Sequence, residues 1–157
     1  ALGISRLSLL EAQNIQRRNV AALLDECLTQ FSWINSVKPL PNCLPVYHAY
    51  IFTLDSENSP LPLAKFISTA NEAGIPFKAT WRPLHEHPHF NPDVVPARGL
   101  PWHKDGQNNQ LRLLSYSEQK YPISDFMINN SIVQIDIHPG TTVDHVECIN
   151  DFLLSVQ

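Results

Sequence analysis

Val46-Tyr47-His48-Ala49-Tyr50-Ile51-Phe52-Thr53-Leu54, then Ser59-Pro60, then Leu61 to Gly74, is the stretch that sets the class of fold. Its first nine residues are rich in aromatic and β-branched side chains and short enough for a strand with little exposure on either face. Ser59 before Pro60 predicts a helix start, because serine caps and proline is tolerated at the first helical position. The predicted helix covers Leu61 to Ala73, with Leu63, Phe66, Ile67 and Ala70 inward, and Gly74 supplies a left-handed stop. Ile75 to Trp81 then reads as a second strand, which completes a compact α/β unit.

On the N-terminal side, apolar residues recur at Ile4, Leu7, Leu10, Ile15, Val20, Leu23, Leu24, Cys27 and Phe31, with Arg6, Arg17, Arg18, Asp25 and Glu26 between them. This is helical spacing, and it predicts one helix of about 25 to 28 residues against a mean near 11 to 12. Residues 1–31 are therefore expected to pack along an extended surface or a partner. Pro39, Pro41 and Pro45 make the following segment a connector.

On the C-terminal side, Pro83, Pro88, Pro92, Pro96 and Pro101 predict an irregular loop, the core of a proline- and histidine-rich region over residues 82–121. Gln107 to Tyr121 reads as loop or short helix. A helical turn near Ser124 to Asn129 leads to a strand over Ser131 to Ile137, with Ile132 alternating with Gln134 and Asp136. His138-Pro139-Gly140 shapes a turn. Thr141 or Thr142 then caps a last helix with Val143, Val146, Ile149, Phe152, Leu153 and Val156 at helical spacing. The expected architecture is α+β: a small antiparallel or mixed sheet of about three strands covered by helices, with a long N-terminal helix, in one domain over residues 1–157.

Composition agrees with one folded domain. A chain of 157 residues buries about 70% of its unfolded surface. The net charge of −4 supplies no basic footprint for nucleic acid, and no run is apolar enough for a membrane span. Cys27, Cys43 and Cys148 are odd in number and far apart, so neither a disulfide framework nor a zinc knuckle is expected, and a reducing cytoplasm fits. Met127 is the only methionine, and Ala1-Leu2-Gly3 runs directly into a helical pattern, as in a chain that begins in the middle or has lost its initiator.

The densest chemistry is Trp81-Arg82-Pro83-Leu84-His85-Glu86-His87-Pro88-His89-Phe90. On an extended strand His85, His87 and His89 would face one side as a metal triad, with Glu86 pointing away and His103 and Asp105 able to complete a site. The same histidines could instead line an organic-ligand pocket or stand on a solvated loop. Arg82 could clamp a carboxylate or phosphate beside the flat wall of Trp81; the plainer reading ends a core strand at Trp81 and pairs Arg82 with a surface acid. His48 reads as a satisfied core histidine. No G-x-S-x-G, phosphate loop or H-E-x-x-H occurs, and with five glycines the chain can hardly build a phosphate-cradling turn. None of the cysteines adjoins a histidine, so no catalytic residue is assigned.

The ordered set Ala1-Leu2-Gly3 with Gln16-Arg17-Arg18, His48-Ala49-Tyr50, Glu72-Ala73-Gly74-Ile75-Pro76, Arg82-Pro83-Leu84-His85 with Pro88 and Phe90, and His138-Pro139-Gly140 resembles the C-terminal part of the DegT/StrS-type sugar aminotransferases. The resemblance spans nearly the whole chain. It implies the small domain of the aspartate-aminotransferase fold, in a pyridoxal-phosphate enzyme that aminates nucleotide-linked keto sugars through a lysine Schiff base. It also implies partners: a large cofactor-binding domain upstream or in another chain, a homodimeric whole and a sugar-nucleotide substrate.

Lys38, Lys65, Lys78, Lys104 and Lys120 all fall in the wrong places for that lysine, so this chain alone is not expected to transaminate or to hold the cofactor. By position the resemblance makes His85 a substrate-side residue, with Trp81 and Arg82 in the same wall. His87 and His89 have no clear counterpart in the family, and Asp105 to Asp125 departs from its pattern. A stand-alone ligand- or metal-binding module, a docking domain and a degenerate, non-catalytic relative are the alternatives.

Overall fold

In a computed structural model of the chain, the described residues are 2–87 and 120–157. They fall into two compact units: one takes the residues up to Thr80 together with Asn129–Gln157, the other those within Trp81–Ile128.

The first unit is α+β. Helices α1 (Leu2–Leu7) and α2 (Leu10–Leu28) precede strands β1 (Ile34–Ser36) and β2 (Ala49–Leu54), helix α3 (Leu63–Glu72) and strand β3 (Lys78–Ala79). Strand β4 (Ile132–Asp136) and helix α5 (Val143–Ser155) complete it. Among the described residues the sheet has four strands in the order β1-β2-β4-β3, every neighbouring pair antiparallel. Strand β1, which the sequence reading did not anticipate, raises the expected three strands to four.

Register explains the core. Tyr50 pairs with Ile135 and Phe52 with Val133, so these side chains share one face, and all four are buried. Leu24 and Leu28 of α2, Phe66 and Ala70 of α3, and Ile149, Phe152 and Leu153 of α5 pack into the same core. Phe66, with 0% of its surface exposed, stacks on Phe77 at 5.6 Å between centroids and meets Phe152 at 5.4 Å, Trp33 at 5.9 Å and Phe52 at 6.5 Å. The other sheet face pairs Ile51 and Lys78 with Gln134. There Lys78 forms an ion pair with Asp136, whose other oxygen accepts from Gln134 at 3.0 Å. The strand expected from Ser131 to Ile137 thus buries Val133 and Ile135 and turns Gln134 and Asp136 the other way.

Several boundaries move for identifiable reasons. The single helix expected from Ile4 to Phe31 is two, because the Ser8 hydroxyl donates to the Ser5 carbonyl (2.8 Å) and the Leu9 amide reaches back only to Arg6 (3.1 Å). Ile4 is 77% exposed, and Leu7, Leu10 and Ile15 are exposed too, so the predicted apolar stripe is covered only from Val20 onward. Strand β2 starts at Ala49 rather than Val46 because Tyr47 has φ +44°, which no strand accommodates. His48 is exposed, not a core residue; its carbonyl accepts from the Ile137 amide at 3.4 Å.

Ser59 does not cap α3. Its hydroxyl donates to the Leu61 carbonyl (2.8 Å), and Pro62 takes the cap position. The helix ends as expected at Gly74, φ +84°: the Ile75 amide donates to Ala70 (2.9 Å) and the Gly74 amide to Asn71 (3.0 Å), a Schellman motif. Those bonds, with the Asn71 side-chain amide on the Phe77 carbonyl (2.9 Å), tie residues 75–77 to the helix and leave only Lys78–Ala79 to pair with β4.

Thr141 and Thr142 divide the roles offered to either. The Thr141 hydroxyl accepts from the His138 amide (3.1 Å) and closes the turn; Thr142 caps α5, with His145 Nδ1 accepting from its amide (3.2 Å). Val143, expected inward, is exposed. No described helix is long and apolar enough to cross a membrane.

Candidate functional site

The second unit holds the candidate site. After the fixed φ of Pro83, residues Leu84–Glu86 form a turn of 3₁₀ helix, with the Glu86 amide on the Pro83 carbonyl (3.0 Å) and the His87 amide on Leu84 (3.1 Å). Helix α4 (Pro122–Asn130) starts two residues ahead of the expected Ser124. Proline suits its first position, and the Asp125 amide donates to the Tyr121 carbonyl at 2.9 Å.

These two segments bring His85 against α4. Its side chain is only 13% exposed, its ring lies 4.7 Å from that of Tyr121, and its Nε2 is 3.1 Å from Asp125 Oδ1. The two are out of line for a hydrogen bond, and Asp125 Oδ1, a buried atom on a side chain that is 36% exposed, has no hydrogen-bond partner among the described residues. Glu86 joins them: one ligand atom from each of His85, Glu86 and Asp125 lies within 4.8 Å of the others.

The structure treats the sequence-derived candidates unequally. Trp81 is 81% exposed, so it does not end a core strand. Arg82 is exposed and makes no ion pair with another described residue. Around His85 the backbone is a 3₁₀ turn, not the extended strand that would align a histidine triad, and Glu86 turns toward His85 rather than away. His89, His103, Asp105 and the proline run from Pro88 to Pro101 lie outside the described residues, as does all but the end of Gln107 to Tyr121. Sequence reasoning passed over Asp125 and Tyr121. Pro122 with Asp125 in the first turn marks a helix start, but nothing in the sequence links that start to a histidine 40 residues earlier.

Elsewhere, Cys27 is buried, donates to Asn150 Oδ1 at 3.6 Å, and has its thiol pushed up by burial. Cys43 and Cys148 are exposed. An open groove of about 430 Å³ between α2 and α5 is lined by Cys27 and Val143 and by the carboxylates of Glu26, Glu147 and Asp151. That sign of charge repels a phosphate. Lys38 and Lys78 are engaged with Asp25 and Asp136, and Lys65 and Lys120 are exposed. The described residues therefore do not fit a pyridoxal phosphate.

Among known families, the model of the DegT/DnrJ/EryC1/StrS aminotransferase family matches residues 1–120. No curated protein matches the chain.

Proposed function

Since the chain belongs to the DegT/DnrJ/EryC1/StrS aminotransferase family, whose aminotransferases use pyridoxal phosphate, we propose that it is the C-terminal small domain of such an enzyme, supplying one wall of the substrate site. The observation that carries this reading is the family match over residues 1–120. The substrate is a nucleotide-linked keto sugar, and the complete enzyme is a cytoplasmic homodimer whose cofactor is held by a large domain encoded upstream or in another chain.

Two features support the assignment. Arg82 and Trp81 stand exposed shortly before His85 in sequence, a cation and a flat apolar surface of the kind that receives a diphosphate and a base or sugar ring. Leu2, Ile4, Leu7, Leu9, Leu10 and Ile15 leave an apolar face on α1 and the start of α2, suited to cover by that large domain. In this division of labour the chain orients the sugar nucleotide, and the chemistry of the amino group belongs to the other domain.

The test is turnover of sugar nucleotides by this chain joined to the coding sequence upstream of it. The joined enzyme is expected to transfer an amino group while the isolated chain does not, and Arg82→Ala and His85→Ala raise KM more than they lower kcat. If no lysine-bearing domain lies upstream or in a partner chain, the reading fails.

A further inference from the structure

We propose that His85, Glu86 and Asp125 bind a divalent transition-metal ion, with zinc or manganese as the chemical class. The separation of 3.1 Å between His85 Nε2 and Asp125 Oδ1 is usually the mark of a hydrogen bond, yet here the geometry is wrong for one and the buried oxygen has no donor among the described residues. A buried carboxylate oxygen without a partner is costly. Two ligand atoms at this spacing fit adjacent positions on an ion with bonds of about 2.0–2.2 Å. Glu86 brings a third ligand atom into the same 4.8 Å cluster. One imidazole and two carboxylates are a donor set for zinc or manganese, and three protein ligands leave coordination positions open to water or a ligand.

The local structure holds the donors without the ion. His85 and Glu86 are fixed on one 3₁₀ turn, and Asp125 is fixed in the first turn of α4. This set differs from the His85, His87 and His89 triad, since it takes only the first of those histidines and adds two carboxylates. It meets the proposed substrate role at one atom, His85 Nε2, which reaches substrate either directly or through the ion.

The experiment is zinc titration by calorimetry into the full chain after chelator treatment, with no substrate or cofactor present, so the outcome does not depend on the aminotransferase reading. One ion per chain is expected. Glu86→Gln, at an exposed position, and Asp125→Asn should each weaken binding roughly tenfold or more, while His87→Ala leaves it unchanged. Melting curves of the metal-free variants establish that they fold, and Glu86→Gln decides if Asp125→Asn does not. Absence of stoichiometric binding overturns the proposal, as does binding that survives Glu86→Gln intact or is abolished by His87→Ala.

Discussion

The Tyr50 hydroxyl donates to Asp25 Oδ1 at 2.6 Å, tying the centre of the sheet to helix α2. Lys38, at the start of the connector, reaches the same oxygen at 2.8 Å. Three successive segments, a helix, a connector and a strand, are thus joined at one atom.

Removing the Tyr50 hydroxyl should cost about 2 kcal/mol, the scale of a hydrogen bond to a charged acceptor. Tyr50→Phe keeps the ring packing, so the loss is expected as a lower urea midpoint with an unchanged slope.

The same contact sets two pH limbs. Burial opposes ionisation of Asp25, but the bonds from Lys38 and Tyr50 outweigh it and hold the carboxyl below its ordinary value. The stability it contributes is complete above the unfolded aspartate value of about 3.9 and is lost as pH falls through the lower folded value. Tyr50 is pushed up, by burial first and by the Asp25 carboxylate second. Its contribution is complete below the unfolded tyrosine value of about 10 and is lost as pH rises toward the higher folded one. Asp25→Asn should flatten the acid limb of a pH-stability curve and Tyr50→Phe the alkaline limb.

Phe66→Ala should destabilise by about 3–5 kcal/mol, since it opens a cavity among Trp33, Phe52, Phe77 and Phe152 that those rings cannot close by small shifts. Denaturant unfolding checks it; a loss below about 1 kcal/mol would mean that the site collapses freely.

Gly74 and Gly140 give a matched pair. A Cβ meets nothing within 4 Å at either position, but only Gly74 has positive φ. Gly74→Ala should lose about 1–2 kcal/mol from the left-handed backbone alone, and Gly140→Ala should stay within about 0.5 kcal/mol of the parent.

The cap of α5 tests the unusual use of histidine as the reciprocal partner. His145→Ala should cost about 1 kcal/mol, while His145→Gln, which also offers an acceptor at this position, should retain most of it. Melting temperatures of the two variants separate acceptor loss from loss of the ring.

The legible parts of the sequence were those where one local signal decides. Gly74 stops its helix, the Thr141-Thr142 pair marks the start of another, and the inward positions of α3 follow from their spacing. What escaped depended on long-range or backbone facts. The positive φ of Tyr47 shortens β2 and exposes His48, yet a tyrosine carries no sign of it. The exposed face at Ile4 and Leu7 has the same periodicity as the covered face beyond Val20, because periodicity states which residues share a side and not whether anything packs there. At the candidate site His85 stands out by its histidine-rich neighbours and by its place in the family pattern, but the approach of Asp125 is a tertiary event with no local trace.

The order β1-β2-β4-β3 places the two longest, most apolar strands inside and leaves stubs of three and two residues at the margins of the described sheet. Unpaired amides and carbonyls along an outer strand are what a second chain needs to template fibril growth. Here each margin offers only a few, and Lys78 on β3 adds a charge that an incoming strand would have to accommodate. The molecule thereby denies self-assembly a long edge on which to propagate, while Phe52 and Val133, within the two apolar strands best suited to it, each have a partner on both sides.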